Sequence, residues 1–140
     1  MRSLQVKSLL LLTLLTACSN KSPTDDLAKE LETVTSWAAT AQMTADAWLH
    51  GSVPRVFAKQ TLSKAQTKLH EETDTLAHSS TNPSQRRTIL ENLQRLESIV
   101  SQMSTAVEHE DHTVMTQQLK QLSTQQQTLS ALAKAAGRQQ

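Results

Sequence analysis

The chain has 140 residues, 14 basic and 13 acidic side chains, a formal charge of +1, two Gly, three Pro, one Cys and no Tyr. A charge this close to zero gives none of the basic footprint that nucleic-acid binding wants, and a single Cys excludes intrachain disulfides and cysteine metal clusters. The length suits one domain, and an abundance of Ala, Leu, Gln, Lys and Glu with few aromatics favours helix over strand.

The first segment reads as an export signal. Met1-Arg2 and Lys7 form a positive start, and Leu9–Leu15 is an apolar run broken only by Thr13. The run falls short of the roughly 20 apolar residues that span a bilayer, and small residues follow it, as in secretory signals. Leu15-Thr16-Ala17-Cys18 resembles the lipobox of bacterial lipoproteins in all four positions. The resemblance implies that Cys18 takes a diacylglycerol on its thiol, that residues 1–17 are cleaved away, and that the new amine is acylated in turn. Two or three chains on one residue anchor a protein where a single chain binds only marginally. Ser19 in place of Asp implies an outer-membrane address, with the domain facing the periplasm. Loss of Arg2 and Lys7 from the 14 basic side chains leaves 12 against 13 acidic ones, a formal charge of −1.

Residues 18–22 then form a short lipidated tether, and four helices are expected over about 23–50, 54–78, 83–108 and 112–136, with a tail at 138–140. Ser22-Pro23-Thr24-Asp25 has the Ncap, N1 and N3 pattern of a helix start. Leu27, Leu31, Val34, Ala38, Ala41, Ala45 and Trp48 follow at 4-3-4-3-4-3 spacing, a heptad seam. Gly51 supplies the stop, because Gly takes the left-handed conformation after a helix without strain. Pro54 at N1 opens the second helix, whose apolar side is read as Phe57, Leu62, Ala65, Leu69 and Leu76, the least regular seam of the four. After the Ser79–Pro83 turn, Asn82, Pro83 and Gln85 repeat the Ncap, N1 and N3 pattern. The third seam is Ile89, Leu93, Leu96, Val100, Met103 and Val107. The turn Glu108-His109-Glu110-Asp111 leads to a fourth seam of Met115, Leu119, Leu122, Gln126, Leu129, Ala133 and Ala136, which Gly137 ends.

Short connections make each helix run antiparallel to the one before it. The expected fold is all-α, an up-down-up-down four-helix bundle over residues 23–137. The same seams would also serve an elongated coiled-coil pair, hence a homo-oligomer. Gln126 occupies a seam position where a hydrophobe belongs, and Trp37 lies at the matching level of the first helix. A buried amide needs a partner and an indole N–H supplies one. Trp37 and Gln126 are therefore expected to form a structural polar pair that fixes register.

Chemical motifs are few. The chain has no Gly-rich phosphate loop, Gly-x-Ser-x-Gly or His-Glu-x-x-His. No Glu-x-x-His pair suits a di-iron bundle, and no His follows the first turn of the fourth helix to ligate haem. No cofactor and no enzymatic activity are expected. The cluster that carries chemistry is His50, His109 and His112, which the topology brings to the bundle end away from the tether, with Asp46, Glu108, Glu110 and Asp111 near. Imidazoles with carboxylates suit Zn²⁺, Ni²⁺ or Cu²⁺.

Two readings of function follow. The first is a helical module, anchored in the membrane lipid through acylated Cys18, that acts structurally or binds a protein partner in the cell envelope. The second is an envelope metal-binding protein using the three histidines. Only Ser19, Asn20, Lys21 and Ser22 separate Cys18 from Pro23, so the tether reaches at most about 14 Å and the bundle stays near the headgroups. At the tether end Lys21, Lys29, Arg86, Arg87, Lys134 and Arg138 balance Asp25, Asp26, Glu30, Glu71, Glu72 and Asp74, which predicts no net pull toward anionic lipid.

Overall fold

The computed structural model describes residues 23–138, which form α1 (Pro23–Leu49), α2 (Arg55–Ala77), α3 (Pro83–Glu108) and α4 (His112–Gly137). Cys18, the tether and the Ser22 cap lie outside the described residues. Each helix packs against its neighbours in sequence and α4 closes back on α1, while α1 and α3 lie across the diagonal. The fold is an up-down-up-down four-helix bundle. No described helix is long and apolar enough to cross a membrane.

Local chemistry sets the helix ends. The Asn82 side chain accepts from Ser84 N at 3.0 Å, with Pro83 in the first turn, as expected. Pro54 stands one place earlier than expected. It is the Ncap of α2, extended at φ −71 and ψ 155, and its carbonyl accepts the first helical bond, from Ala58 N. Gly51 has φ 69 and closes α1. Gly137 is the last residue of α4 and is not among the residues with positive φ, so α4 ends without a left-handed turn there.

All seven expected seam residues of α1 and all six of α3 are buried. Leu31, Leu62, Leu69, Leu93, Leu96, Leu122 and Leu129 are among the largest fully buried side chains of the single core. The other two helices differ in phase. In α2 the buried line is Ala58, Leu62, Ala65, Leu69, Thr73 and Leu76, and Phe57 stands 50% exposed. Phe57 lies five residues before Leu62, which is out of phase with a seam stepping by three and four. Thr73 is tolerated in the core because its hydroxyl donates to the Leu69 carbonyl and to Glu97 of α3.

In α4 the correction is larger. Met115, Gln118, Leu122, Gln125, Leu129 and Ala136 are buried, whereas Leu119, Gln126 and Ala133 are half-buried. Met115, Leu122, Leu129 and Ala136 lie where expected, and the buried face is turned by a fraction of a residue toward α3, taking in Gln118 and Gln125 in place of Leu119 and Gln126. Gln125 Nε2 donates to Asn92 Oδ1 at 2.6 Å, and the Asn92 amide donates to the Thr88 carbonyl at 2.7 Å. Gln118 Nε2 donates to Gln102 Oε1 at 2.9 Å. Two amide pairs thus join α3 to α4, with residue numbers rising on one helix as they fall on the other. The rotation wastes little apolar area, since Leu119 and Ala133 still pack against the core.

The Trp37–Gln126 pair does not form, and neither side chain makes a hydrogen bond among the described residues. Trp37 lies two turns beyond Glu30 on the flank of α1 that faces Glu72 of α2. The α4 side of α1 is the flank of Gln42, Asp46 and Leu49, which share a groove with Thr116 and Leu119. Trp37 is half-buried against the core instead.

Two outcomes follow. Gln125→Ala leaves the Asn92 carbonyl oxygen without its cross-helix donor, and losing such a buried partner costs about 1–3 kcal/mol. Gln126→Ala is expected to stay within about 0.5 kcal/mol of wild type. Urea unfolding of both variants checks this, and it separates the two possible phases of α4. The second outcome concerns Glu30. Burial, then the Glu72 and Asp26 carboxylates, raise its pKa above the usual 4.5. Ionising Glu30 is harder in the folded chain than in the unfolded one. Its contribution therefore favours folding at low pH and is lost as pH rises from about the unfolded value through the raised folded one. Glu30→Gln should raise the thermal midpoint near neutral pH and leave it unchanged below the glutamate range, as read by circular dichroism across pH.

Candidate functional site

The end of the bundle away from Pro23 is built by two turns of the same design. At the end of α1, Gly51 N donates to Trp48 O at 3.0 Å and Ser52 N to Ala47 O at 2.8 Å. At the end of α3, Glu110 N donates to Val107 O at 3.3 Å and Asp111 N to Ala106 O at 2.8 Å. Both are Schellman closures, which need a left-handed residue after the cap. Gly51 fills that position in the first, at φ 69, and Glu110 fills it in the second, at φ 55. An L-residue there costs about 1 kcal/mol. Asp111 then serves as the Ncap of α4 by accepting from Val114 N at 2.9 Å. One residue both finishes the α3 closure and starts α4, which keeps the connection short.

Ion pairs bind the start of α2 to this turn. Lys59 Nζ lies 2.7 Å from Glu108 Oε1, and Arg55 lies 3.6 Å from Glu110. The hydrogen bond and charge of Lys59 lower the Glu108 pKa. Both pairs are solvent-exposed, so they set geometry more than stability.

The three histidines share this end and do different things. The His112 ring meets the nearly buried Trp48 edge to face, with centroids 4.6 Å apart, and joins the start of α4 to the end of α1. His50 Nδ1 lies 2.8 Å from the Asp46 carbonyl oxygen and takes it as an acceptor. His109 is the C-cap of α3, exposed to solvent. Among the described residues no group of three His, Cys, Asp or Glu side chains is placed to hold a metal ion. His50, His109 and His112 are thus brought to one end of the bundle without forming a metal-holding group among the described residues.

A different feature stands out at this end. Val56 and Phe57, at the first turn of α2, are 63% and 50% exposed, and Met43, in the last third of α1, is 73% exposed. All three large exposed hydrophobics lie on α1 and α2. The sequence carried a signal for Phe57 in its spacing from Leu62. For Glu110 the signal was its place, two residues beyond the last residue of α3, as Gly51 is two beyond that of α1.

Comparison of the chain with protein-family models, with curated proteins and with solved structures finds no match.

Replacing Glu110 by Gly should relieve the left-handed strain and stabilise the fold by about 1 kcal/mol, less the small contribution of its exposed pair with Arg55. Denaturant unfolding of Glu110→Gly reads the gain, and a loss of stability would show that the ion pair outweighs the backbone cost.

Proposed function

We propose that this protein is a lipid-anchored lipoprotein of the bacterial cell envelope whose bundle acts as a structural or protein-interaction module. The observation that carries the reading is Cys18 directly after Leu15-Thr16-Ala17, five residues before α1 begins at Pro23. Acyl chains on Cys18 hold the domain to the outer membrane, facing the periplasm. The bundle offers a protein partner the tip at the start of α2, where Val56 and Phe57 are exposed. Isolated surface hydrophobes are common, but Val56 and Phe57 adjoin each other at the tip, and an exposed aromatic is the kind of anchor that interfaces use.

The support is one of complementarity between parts. The core closes within one chain, so the domain needs no second copy to bury its seams. The surface, not the interior, is then left for recognition.

In-cell crosslinking with mass spectrometry, combined with palmitate labelling, tests the proposal on three chains. Wild type should incorporate label and crosslink to an envelope protein. A Val56→Glu, Phe57→Glu variant should keep the label and lose that crosslink. Cys18→Ala should lose the label, leave the membrane fraction and lose the partner. Label on Cys18→Ala would overturn the anchor, and an unchanged crosslink in the double variant would overturn the contact surface.

A further inference from the structure

The charges of this nearly neutral chain are sorted by face. Helix α4 contains no Asp or Glu. Exposed on α3 and α4, or just beyond, are Arg87, Arg95, Lys120, Lys134 and Arg138. None of these five forms a salt bridge among the described residues; the pairs that do form involve α2 or lie within α1. The acids of α3 do not cancel them. Glu108 is held by Lys59 and Glu97 by His70 and Thr73, all on the α2 side. Only Glu91 remains exposed on α3 without a partner of that kind. Opposite, α1 carries Asp26, Glu30, Glu32 and Asp46 against Lys29 alone. The balance of charges that the tether end shows in sequence thus resolves, in three dimensions, into a basic α3–α4 side and an acidic α1 side.

We infer that the α3–α4 side is a docking face for the anionic headgroups of the membrane in which Cys18 is anchored, so that the bundle lies along the bilayer instead of standing on it. The inference rests on the lipid-anchored reading. Three observations favour a headgroup surface as the occupant. Arg95 and Lys120 flank a shallow groove with Gln102, Gln121 and Thr124, a lining with donors for phosphate oxygens and no carboxylate. The five cations are spread over about 27 Å of bundle length at 1.5 Å per residue, which suits a plane and not a point ligand. Of the three large exposed hydrophobics, Val56 and Phe57 lie on α2 and Met43 borders the α1–α4 groove, so none lies on α3 or α4 and this side would touch headgroups without needing to enter the acyl region.

The tether permits the pose. With α3 and α4 on the surface, α1 lies one layer up. A helix radius of about 5 Å plus an interaxial distance of about 10 Å puts the α1 axis roughly 15 Å above the headgroups. The four residues between Cys18 and Pro23 reach up to about 14 Å, which meets that height because the α1 backbone stands about 2 Å off its axis. Cationic attraction to a charged leaflet falls off within about 8–10 Å, so only the side held against the surface feels it. Lying flat also turns α2, with Val56 and Phe57, away from the bilayer, where a partner can reach it.

The test uses the full lipidated protein, purified from bacterial membranes and reconstituted by detergent removal. Spin labels are placed through Gln121→Cys on the α3–α4 groove and, separately, Thr67→Cys on exposed α2. Vesicles contain either phosphatidylcholine alone or phosphatidylcholine with phosphatidylglycerol. Flotation reports anchoring, and collision with a water-soluble relaxation agent reports exposure. The expected result is flotation in both vesicle types, a several-fold drop in collision rate at Gln121→Cys only with phosphatidylglycerol, and no change at Thr67→Cys. Adding Arg95→Glu and Lys120→Glu should restore full exposure at the Gln121 position. Flotation with equal exposure of the Gln121 label in both vesicles would overturn the docking face and leave the anchor standing. Failure to float in either would overturn the anchored reading and this inference with it.

Discussion

The hydrogen bond from Gln125 to Asn92 decides how α4 is turned, and the rest of the molecule follows from that turn. A buried amide left unpaired is costly, whereas a paired one is nearly neutral and specifies register. Gln125 therefore turns inward toward Asn92, Gln118 donates to Gln102 while its own Oε1 stays buried without a partner, and Leu119, Gln126 and Ala133 stand half-buried on the flank toward α1. Lys120 and Lys134 stand on the exposed outer side of α4. The polar seam between α3 and α4 thereby shapes the packing of the core.

The distal end is shaped by backbone closure more than by its side-chain chemistry. Two Schellman turns, one through Gly51 and one through Glu110, bring α1, α2, α3 and α4 to a common level with very short connections. Every histidine there is absorbed into that task or left in solvent, with His112 stacked edge-on against Trp48 and His50 bonded back to its own helix. What remains available for recognition is apolar: Val56 and Phe57, held at the tip by the ion pairs of Arg55 and Lys59.

Much of the architecture was legible in the residues themselves. The heptad lines of α1 and α3, the Asn82-Pro83 start and the Gly51 stop each follow from a local rule that tertiary packing had no reason to override. The misjudged positions share one cause. In α2 and α4 two stripes of similar hydrophobicity lie one residue apart, and hydropathy alone cannot choose between them. Phe57 looked like core because it is large and apolar, yet the step to Leu62 favours Ala58. Leu119 looked better buried than Gln118, yet Gln118 and Gln125 find amide partners on α3 that a single-helix pattern does not show. The pairing of Trp37 with Gln126 assumed equal levels and ignored which flank of α1 faces α4. Cys18 is a different case, since its meaning is carried wholly by its neighbours in sequence.

Fold and surface together describe a closed bundle with a basic side, an acidic side and an apolar tip, and Cys18 stands five residues before it in sequence. In the proposed reading, anchoring through Cys18 gives these features their relevance, because it would set which side faces the bilayer, how far the tip reaches and which partners it meets. Intact-mass spectrometry of the protein extracted from bacterial membranes is the most direct measurement of that claim. The account predicts one species that begins at Cys18 and carries the added mass of a diacylglycerol and an amide-linked acyl chain. A chain retaining residues 1–17, or one that begins at Cys18 with a free thiol, would contradict it.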